Sequence, residues 1–322
     1  MSGCDVIGLT DPVGASMENF NVVATGLLFP EGPVALTDGS IALVEIQRET
    51  VSRVAPDGTV SVLANVGGGP NGLAVGPDGA YYICNNGGFL FQTIAGFNRT
   101  RAGLHPHYTS GRIERLDPVS GELKTLYDRC GDFPLCGPND LVFDHDGGFY
   151  FTDFGKNRTR DRDHAGLYYA RADGSMIVEV AYPLVTANGV GLSPDDSVVY
   201  VSETETGRLW AFDLEAPGRA KKHPHPSPHG GRLVCGLPGY QRFDSMAVDA
   251  YGNICVATLV TGCITVITPG GDVLRQTIFP DPMVTNICFG GADLKTAYIT
   301  LSGTGQLVSM EWPEPGLRLP YS

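Results

Sequence analysis

The chain has 322 residues, 42 % hydrophobic and 18 % charged, with 43 Gly, 23 Pro and a formal net charge of −13. That composition is globular and turn-rich, and it excludes a disordered or collagenous chain. The acidic balance argues against nucleic acid and against anionic membrane as partners, because both recruit Lys/Arg patches; it is permissive toward a cation.

Residues 1–19 read as a leader. Met1-Ser-Gly-Cys-Asp has neither a basic n-region nor an apolar h-region, and no apolar run approaches the ~18–20 residues of a membrane span. A cytoplasmic protein is expected. A strand is predicted over residues 20–27. It precedes the first of six related units, so residues 20–322 are expected to form one domain. The units open on Glu31-Gly-Pro-Val-Ala-Leu, Asn71-Gly-Leu-Ala-Val, Asn139-Asp-Leu-Val-Phe, Asn188-Gly-Val-Gly-Leu, Asp244-Ser-Met-Ala-Val and Asn286-Ile-Cys-Phe-Gly. The openings lie 40, 68, 49, 56 and 42 residues apart. Five run on to a turn, at Asp38-Gly39, Asp78-Gly79, Asp146-Gly147, Asp195-Asp196 and Tyr251-Gly252, and then to an apolar strand. A period near forty with several short strands per unit predicts an all-β, six-bladed β-propeller. The spare N-terminal strand completes the short last blade and closes the ring, which removes open sheet edges.

Two intervals exceed what a blade needs. Residues 85–110 carry Asn98, Arg99, Arg101, His105, His107 and Tyr108, and are expected over the channel mouth, with His105 a candidate substrate contact. Residues 215–243 carry Lys221, Lys222, His223, His225 and His229, and read as a solvated surface excursion. Of eight cysteines, Cys84, Cys255 and Cys288 fall in strand-like runs and read as buried thiols. Cys130 and Cys136 flank a short loop, but a chain without an export signal favours reduced thiols. The absence of C-x-x-C argues against a thiolate zinc site.

In a propeller the first strand of each blade lines the channel, so the six openings converge on one axis. Asn before Gly is ordinary turn chemistry. Glu31 and Asp244 are harder to explain that way, because a carboxylate in a crowded channel must be paired or metal-bound. Two carboxylates and neutral amides supply a ligand charge of −2 from oxygens alone. That selects a hard divalent cation, Ca²⁺ first, with Mg²⁺, Mn²⁺ or Zn²⁺ as alternatives.

From about Phe20 to Trp312 the chain resembles the senescence marker protein/gluconolactonase/luciferin-regenerating family. The carriers include Phe29-Pro-Glu-Gly-Pro33, Pro138-Asn-Asp-Leu141, Phe151-Thr-Asp153, Ala187-Asn-Gly-Val-Gly-Leu-Ser-Pro-Asp195 and Thr285-Asn-Ile-Cys-Phe-Gly-Gly291. The Asn-Asp-Leu and Asp-Ser stretches look closest to its bacterial lactonases. The resemblance implies a six-bladed propeller with one catalytic divalent cation held by Glu31, Asn139, Asn188 and Asp244. Asn71 and Asn286 would line the channel, and a small-molecule lactone would be the substrate. Gly137 stands where animal sugar-lactone members carry a substrate-binding Arg, so substrate contacts are expected from the 85–110 insertion instead. The cation would polarise the lactone carbonyl, with Asp244 as general base, Glu31 second, and the non-ligand Asp140 a third candidate. Organophosphate or aryl ester hydrolysis on the same site, and a non-enzymatic calcium-binding propeller, are the alternatives.

Overall fold

In the computed structural model, residues 16, 17 and 19–321 are described. Among them there is no helix; every element is a strand, and the long-range pairings form six small sheets. The sheets are the six expected units. Their innermost strands are Pro30–Ala35, Pro70–Val75, Pro138–Phe143, Ala187–Leu192, Arg242–Val248 and Val284–Gly290. Each is followed outward by antiparallel neighbours, as in Gly148–Asp153, Ala165–Arg171 and Ile177–Leu184 of blade three. Closure occurs as the sequence predicts. Asn21–Ala24 pairs antiparallel with Gln306–Glu311 as the fourth strand of blade six.

The apolar core is not central. It is divided into six wedges between neighbouring blades, because each sheet buries both faces against the next. One wedge packs Val142, Tyr150, Leu167 and Tyr169 of blade three on Val190, Val201, Trp210 and Phe212 of blade four. Another joins Ala24, Leu27 and Leu307 to Ile41, Leu43 and Val54, so the closing strand also seals the first blade to the last. Cys84 and Cys255 are fully buried in such wedges, Cys288 is half-buried, and Cys130 and Cys136 are free thiols.

Three stretches outside the regular repeat take definite form. Of the leader, Ser16–Met17 adds a parallel edge strand to blade five against Thr277 and Ile278; residues 1–15 and 18 lie outside the described residues. The 215–243 interval is not merely a surface excursion. Its Arg232–Gly236 is the outermost strand of blade four, and His229 is buried against the Trp210 and Phe212 rings. The repeat length hid this, because a polar loop precedes the strand and lengthens the unit. The 85–110 insertion forms a hairpin of its own, Leu90–Ile94 with Phe97–Arg101.

Candidate active site at the channel mouth

Every innermost strand breaks register in the same place, near its first residues: between Glu31 and Val34, Pro70 and Gly72, Pro138 and Leu141, Ala187 and Val190, Phe243 and Met246, and Val284 and Asn286. A bulge re-aims the residue it carries and interrupts the ladder. Here it turns one side chain per blade toward the axis. Proline opens three of these strands, where no ladder donor is missed. In blade one the chain enters Glu31 through Phe29 at φ 57° and leaves through Gly32 at φ 51°. A Cβ at Gly32 would lie 2.7 Å from the blade-two backbone, so only glycine fits.

A belt of hydroxyls from the second strands fixes these bulges. Ser202 Oγ donates to Asp244 O at 2.6 Å and Ser302 Oγ to Pro30 O at 2.5 Å, while Thr152 Oγ1 donates to Asn188 O. The bonds from Thr152 and Ser202 tie one blade's second strand to the next blade's ring residue, and Ser302, just past its strand, reaches Pro30 beside Glu31. Beyond the hydroxyl, the second strands of blades one, three and four end in a buried acid. Asp153 accepts the amides of Cys136, Gly137 and Gly155 at 2.7–2.8 Å. Glu203 accepts Val185 N at 2.7 Å and Trp210 Nε1 at 3.0 Å; Glu45 accepts Leu28 N and Ser52 Oγ, both at 2.7 Å. These acids are saturated by donors of their own blade and hold the loops that feed the channel. At Gly137 a Cβ would lie 2.6 Å from Gly155 O, which leaves no room for a side chain.

The ring itself is different. Glu31, Asn71, Asn139, Asn188 and Asp244 are each at most 8 % exposed and line one cavity of about 350 Å³ at the mouth. Glu31 Oε2 accepts Gly32 N at 3.0 Å and Asn286 Nδ2 at 2.9 Å. Asn188 donates Nδ2 to Thr204 Oγ1 at 2.9 Å, which fixes the amide's orientation. Asn139 Oδ1 and Asn188 Oδ1 are buried with no hydrogen-bond partner. Orphaned buried acceptors are costly. Burial raises the Glu31 carboxyl to about 7. It pushes Asp244 well above the usual range, with the nearby Glu31 charge adding to it, and Asp140 up to about 8 for the same two reasons. Acidic groups crowded on one another, beside two orphan amide oxygens, form a donor set that fits a hard divalent cation. Among the described residues no three His, Cys, Asp or Glu side chains make a metal cluster, so the set is complete only with the Asn139 and Asn188 amides.

Three expected substrate contacts lie elsewhere. Asp140 does not face the mouth. Its Oδ1 accepts Leu141 N at 2.9 Å and its Oδ2 Val190 N at 3.4 Å, and it borders the opposite end of the channel. Asn286 is spent on Glu31 and likewise borders that far end. His105 is not on the cavity wall; its ring packs on Gly88, 3.0 Å from where a Cβ there would sit. Conversely, the wall contains residues that the repeat could not reveal. Gln92, Arg99 and Arg101 come from the hairpin, Lys156 and Asn157 from the loop after blade three's second strand, and Arg242 from the entry to blade five. Lys156 is 2 % exposed; its Nζ donates to Gly88 O at 2.9 Å and Asn86 Oδ1 at 3.2 Å and lies 4.5 Å from the Phe89 ring centroid. Burial lowers it to about 7. The buried lysine thus ties the base of the hairpin to blade three. In the sequence Lys156 directly follows Phe151-Thr-Asp-Phe-Gly155, a position outside the repeat.

Residues 29–303 match the profile of the SMP-30/gluconolactonase/LRE-like region. A Staphylococcus epidermidis protein named lactonase drp35 is 28 % identical over 245 residues, 76 % of this chain and 67 % of that protein. A Zymomonas mobilis gluconolactonase is 26 % identical over 298 residues, 84 % of this chain and 75 % of its own length. Among solved structures, a Xanthomonas campestris gluconolactonase superposes with TM-score 0.71 at 23 % identity, covering 96 % of this chain and 100 % of the other. Regucalcin of Agrobacterium tumefaciens, described as calcium-binding, superposes with TM-score 0.73 at 17 % identity, covering 95 % and 99 %. At those identities the structural likeness carries the fold.

Proposed function

Because the chain belongs to the SMP-30/gluconolactonase/LRE-like family, we propose that it is a lactone hydrolase whose ring holds a divalent cation, Ca²⁺ by preference. One observation carries this reading: four convergent ring positions include two carboxyls raised by burial and two amide oxygens with no partner. The relatives named lactonase and gluconolactonase support the same class of substrate. Glu31, Asn139, Asn188 and Asp244 would hold the ion. When bound, such an ion polarises a lactone carbonyl and balances the negative charge of the addition intermediate.

The chain's own groups then divide the work. Asp244 is the better placed base. Glu31 already accepts a backbone amide and Asn286, which lowers its basicity, and Asp140 is turned to its own backbone at the far end. Asp244 faces the cavity and has Asn188 as its side-chain hydrogen-bond partner. It takes one proton from water; the hydroxide adds to the lactone carbonyl carbon. The ring C–O bond breaks, and the departing alkoxide takes the proton that Asp244 removed from water, which gives the hydroxy acid and restores the carboxylate. General-base removal of the water proton contributes about 10²–10⁴ in rate.

The test is a lactone panel followed by pH-stat, on protein first chelated and then reloaded with Ca²⁺, Mg²⁺, Mn²⁺ or Zn²⁺. Turnover lost on chelation and restored by one of these ions is expected. Equal turnover in chelated protein refutes the metal, and no turnover on any lactone refutes the hydrolase.

A further inference from the structure

The hairpin is the part of the mouth that the six-fold repeat does not supply. In its register Arg99 lies opposite Gln92 and Arg101 opposite Leu90, so the two arginines alternate onto one face with Gln92. All three line the cavity above the ring. The hairpin is held on both sides of the channel. Asn98 N donates to Gly303 O at 2.8 Å, between blades six and one, and the Phe91 ring centroid lies 5.2 Å from that of Phe29. On the far side Gly103 N donates to Asn157 O at 3.0 Å, beside the Lys156 anchor. The arginines are therefore borne on a strap fixed at both ends.

Among the described residues neither Arg99 nor Arg101 has an ion-pair or hydrogen-bonding side-chain partner. The third arginine of this wall, Arg242, spends Nη2 on Glu205, and its buried Nε has no partner. Arg162 shares the same Glu205 at 3.6 Å. Cationic donors thus exceed acceptors around the rim, in a protein of net charge −13. The acids on the floor cannot balance them once a divalent ion is bound there. A neutral lactone leaves the guanidinium groups unused; a carboxylate accepts two parallel N–H donors from one of them.

We infer that the substrate is an acidic lactone: a lactone ring presented to the floor, with a carboxylate on a ring carbon remote from the carbonyl, received by Arg99 and Arg101. The inference rests on the lactonase reading and narrows its substrate class. Specificity then comes from the hairpin, and the reaction from the ring.

A matched pair tests it: γ-butyrolactone bearing a 3-carboxylate, and its isosteric 3-carboxamide. Wild type should favour the carboxylate by about tenfold or more in kcat/KM, the worth of one charge-assisted contact pair. In Arg99→Gln/Arg101→Gln that preference should fall toward unity, and in wild type it should shrink as salt rises. Equal use of both compounds by wild type, or a preference unchanged in the double variant, overturns the inference. Calorimetric binding of the same pair separates this from failure of the hydrolase reading. If neither compound is turned over, selective binding of the carboxylate that the double variant loses still supports the arginine site, and no selectivity in binding overturns it. Circular dichroism of the double variant guards against misfolding, and the single variants Arg99→Gln and Arg101→Gln, each expected to lose part of the preference, provide the reading should the double variant fail to fold.

Discussion

The two ends of the channel are lined by the same six strands and could hardly differ more. At the mouth, where the strands begin, Glu31, Asn71, Asn139, Asn188 and Asp244 surround a polar cavity of about 350 Å³. A few residues further along, Val34, Leu73, Val142, Leu192, Val248 and Ile287 line a smaller apolar one of about 120 Å³. The C-terminal segment crosses this second end. Leu317 N donates to Val248 O at 2.9 Å, and the Tyr321 ring meets Phe143 edge-on at 5.6 Å between centroids. The mouth keeps unsatisfied oxygens and bare guanidinium groups; the far end is covered by hydrocarbon. Asn139 Oδ1 and Asn188 Oδ1, buried and left without partners at a cost in stability, distinguish the mouth, since nothing in folding favours leaving them so.

The largest expected effect breaks the mouth alone. Asp244→Asn keeps the shape and one oxygen but removes the charge and the base. With the divalent ion saturating, turnover should fall by ~10²–10⁴ while circular dichroism stays that of the wild type. A near-normal kcat with the ion bound would move the base to another group.

Glu31→Gln sharpens the comparison by turning a cost into stability. The folded-state carboxyl is raised to about 7 from an ordinary 4.5. Its contribution is therefore present below pH 4.5 and is lost as pH rises through 7, so chelated wild type should weaken across that window. The variant escapes this loss. At pH 8–9 without metal it should be more stable by on the order of 1–3 kcal/mol, yet it should no longer gain melting temperature when Ca²⁺ is added. Melting curves against pH, with chelator and with Ca²⁺, check both signs. A chelated variant no more stable than wild type would show that burial does not penalise the Glu31 carboxylate.

The smallest effect lies at the far end. Tyr321→Ala removes the ring over Phe143 and should cost ~1–2 kcal/mol in urea unfolding. Because Tyr321 borders the opposite end of the channel from the proposed site, kcat/KM should stay within about twofold. A loss of activity comparable to that of Asp244→Asn would mean that the two ends are coupled.

Much of this was legible in the sequence because it is periodic. The spacing of Glu31, Asn71, Asn139, Asn188, Asp244 and Asn286, each ahead of an apolar run, specifies six blades and one axis. A strand with no blade of its own, around Asn21–Ala24, specifies closure. The identities at the ring also set its charge, two carboxyls among neutral amides. What repeats only in space was not legible. The bulge in each innermost strand and the hydroxyl belt from Thr152, Ser202 and Ser302 join residues 36, 42 and 272 positions apart. So does the Asn286–Glu31 bond, across 255 positions, which commits the Asn286 amide to Glu31. Asp140 and Asn139 are neighbours in sequence, yet both sit in the bulge between Pro138 and Leu141, which re-aims them so that one reaches the mouth and the other the far end. The hairpin arginines belong to no repeat, and only its anchorage to Gly303 and Asn157 brings them over the ring. The sequence by itself determined the ring of oxygen-bearing side chains; the tertiary structure decided which of them face the mouth and what stands above them, because those depend on contacts between distant blades that no local pattern encodes.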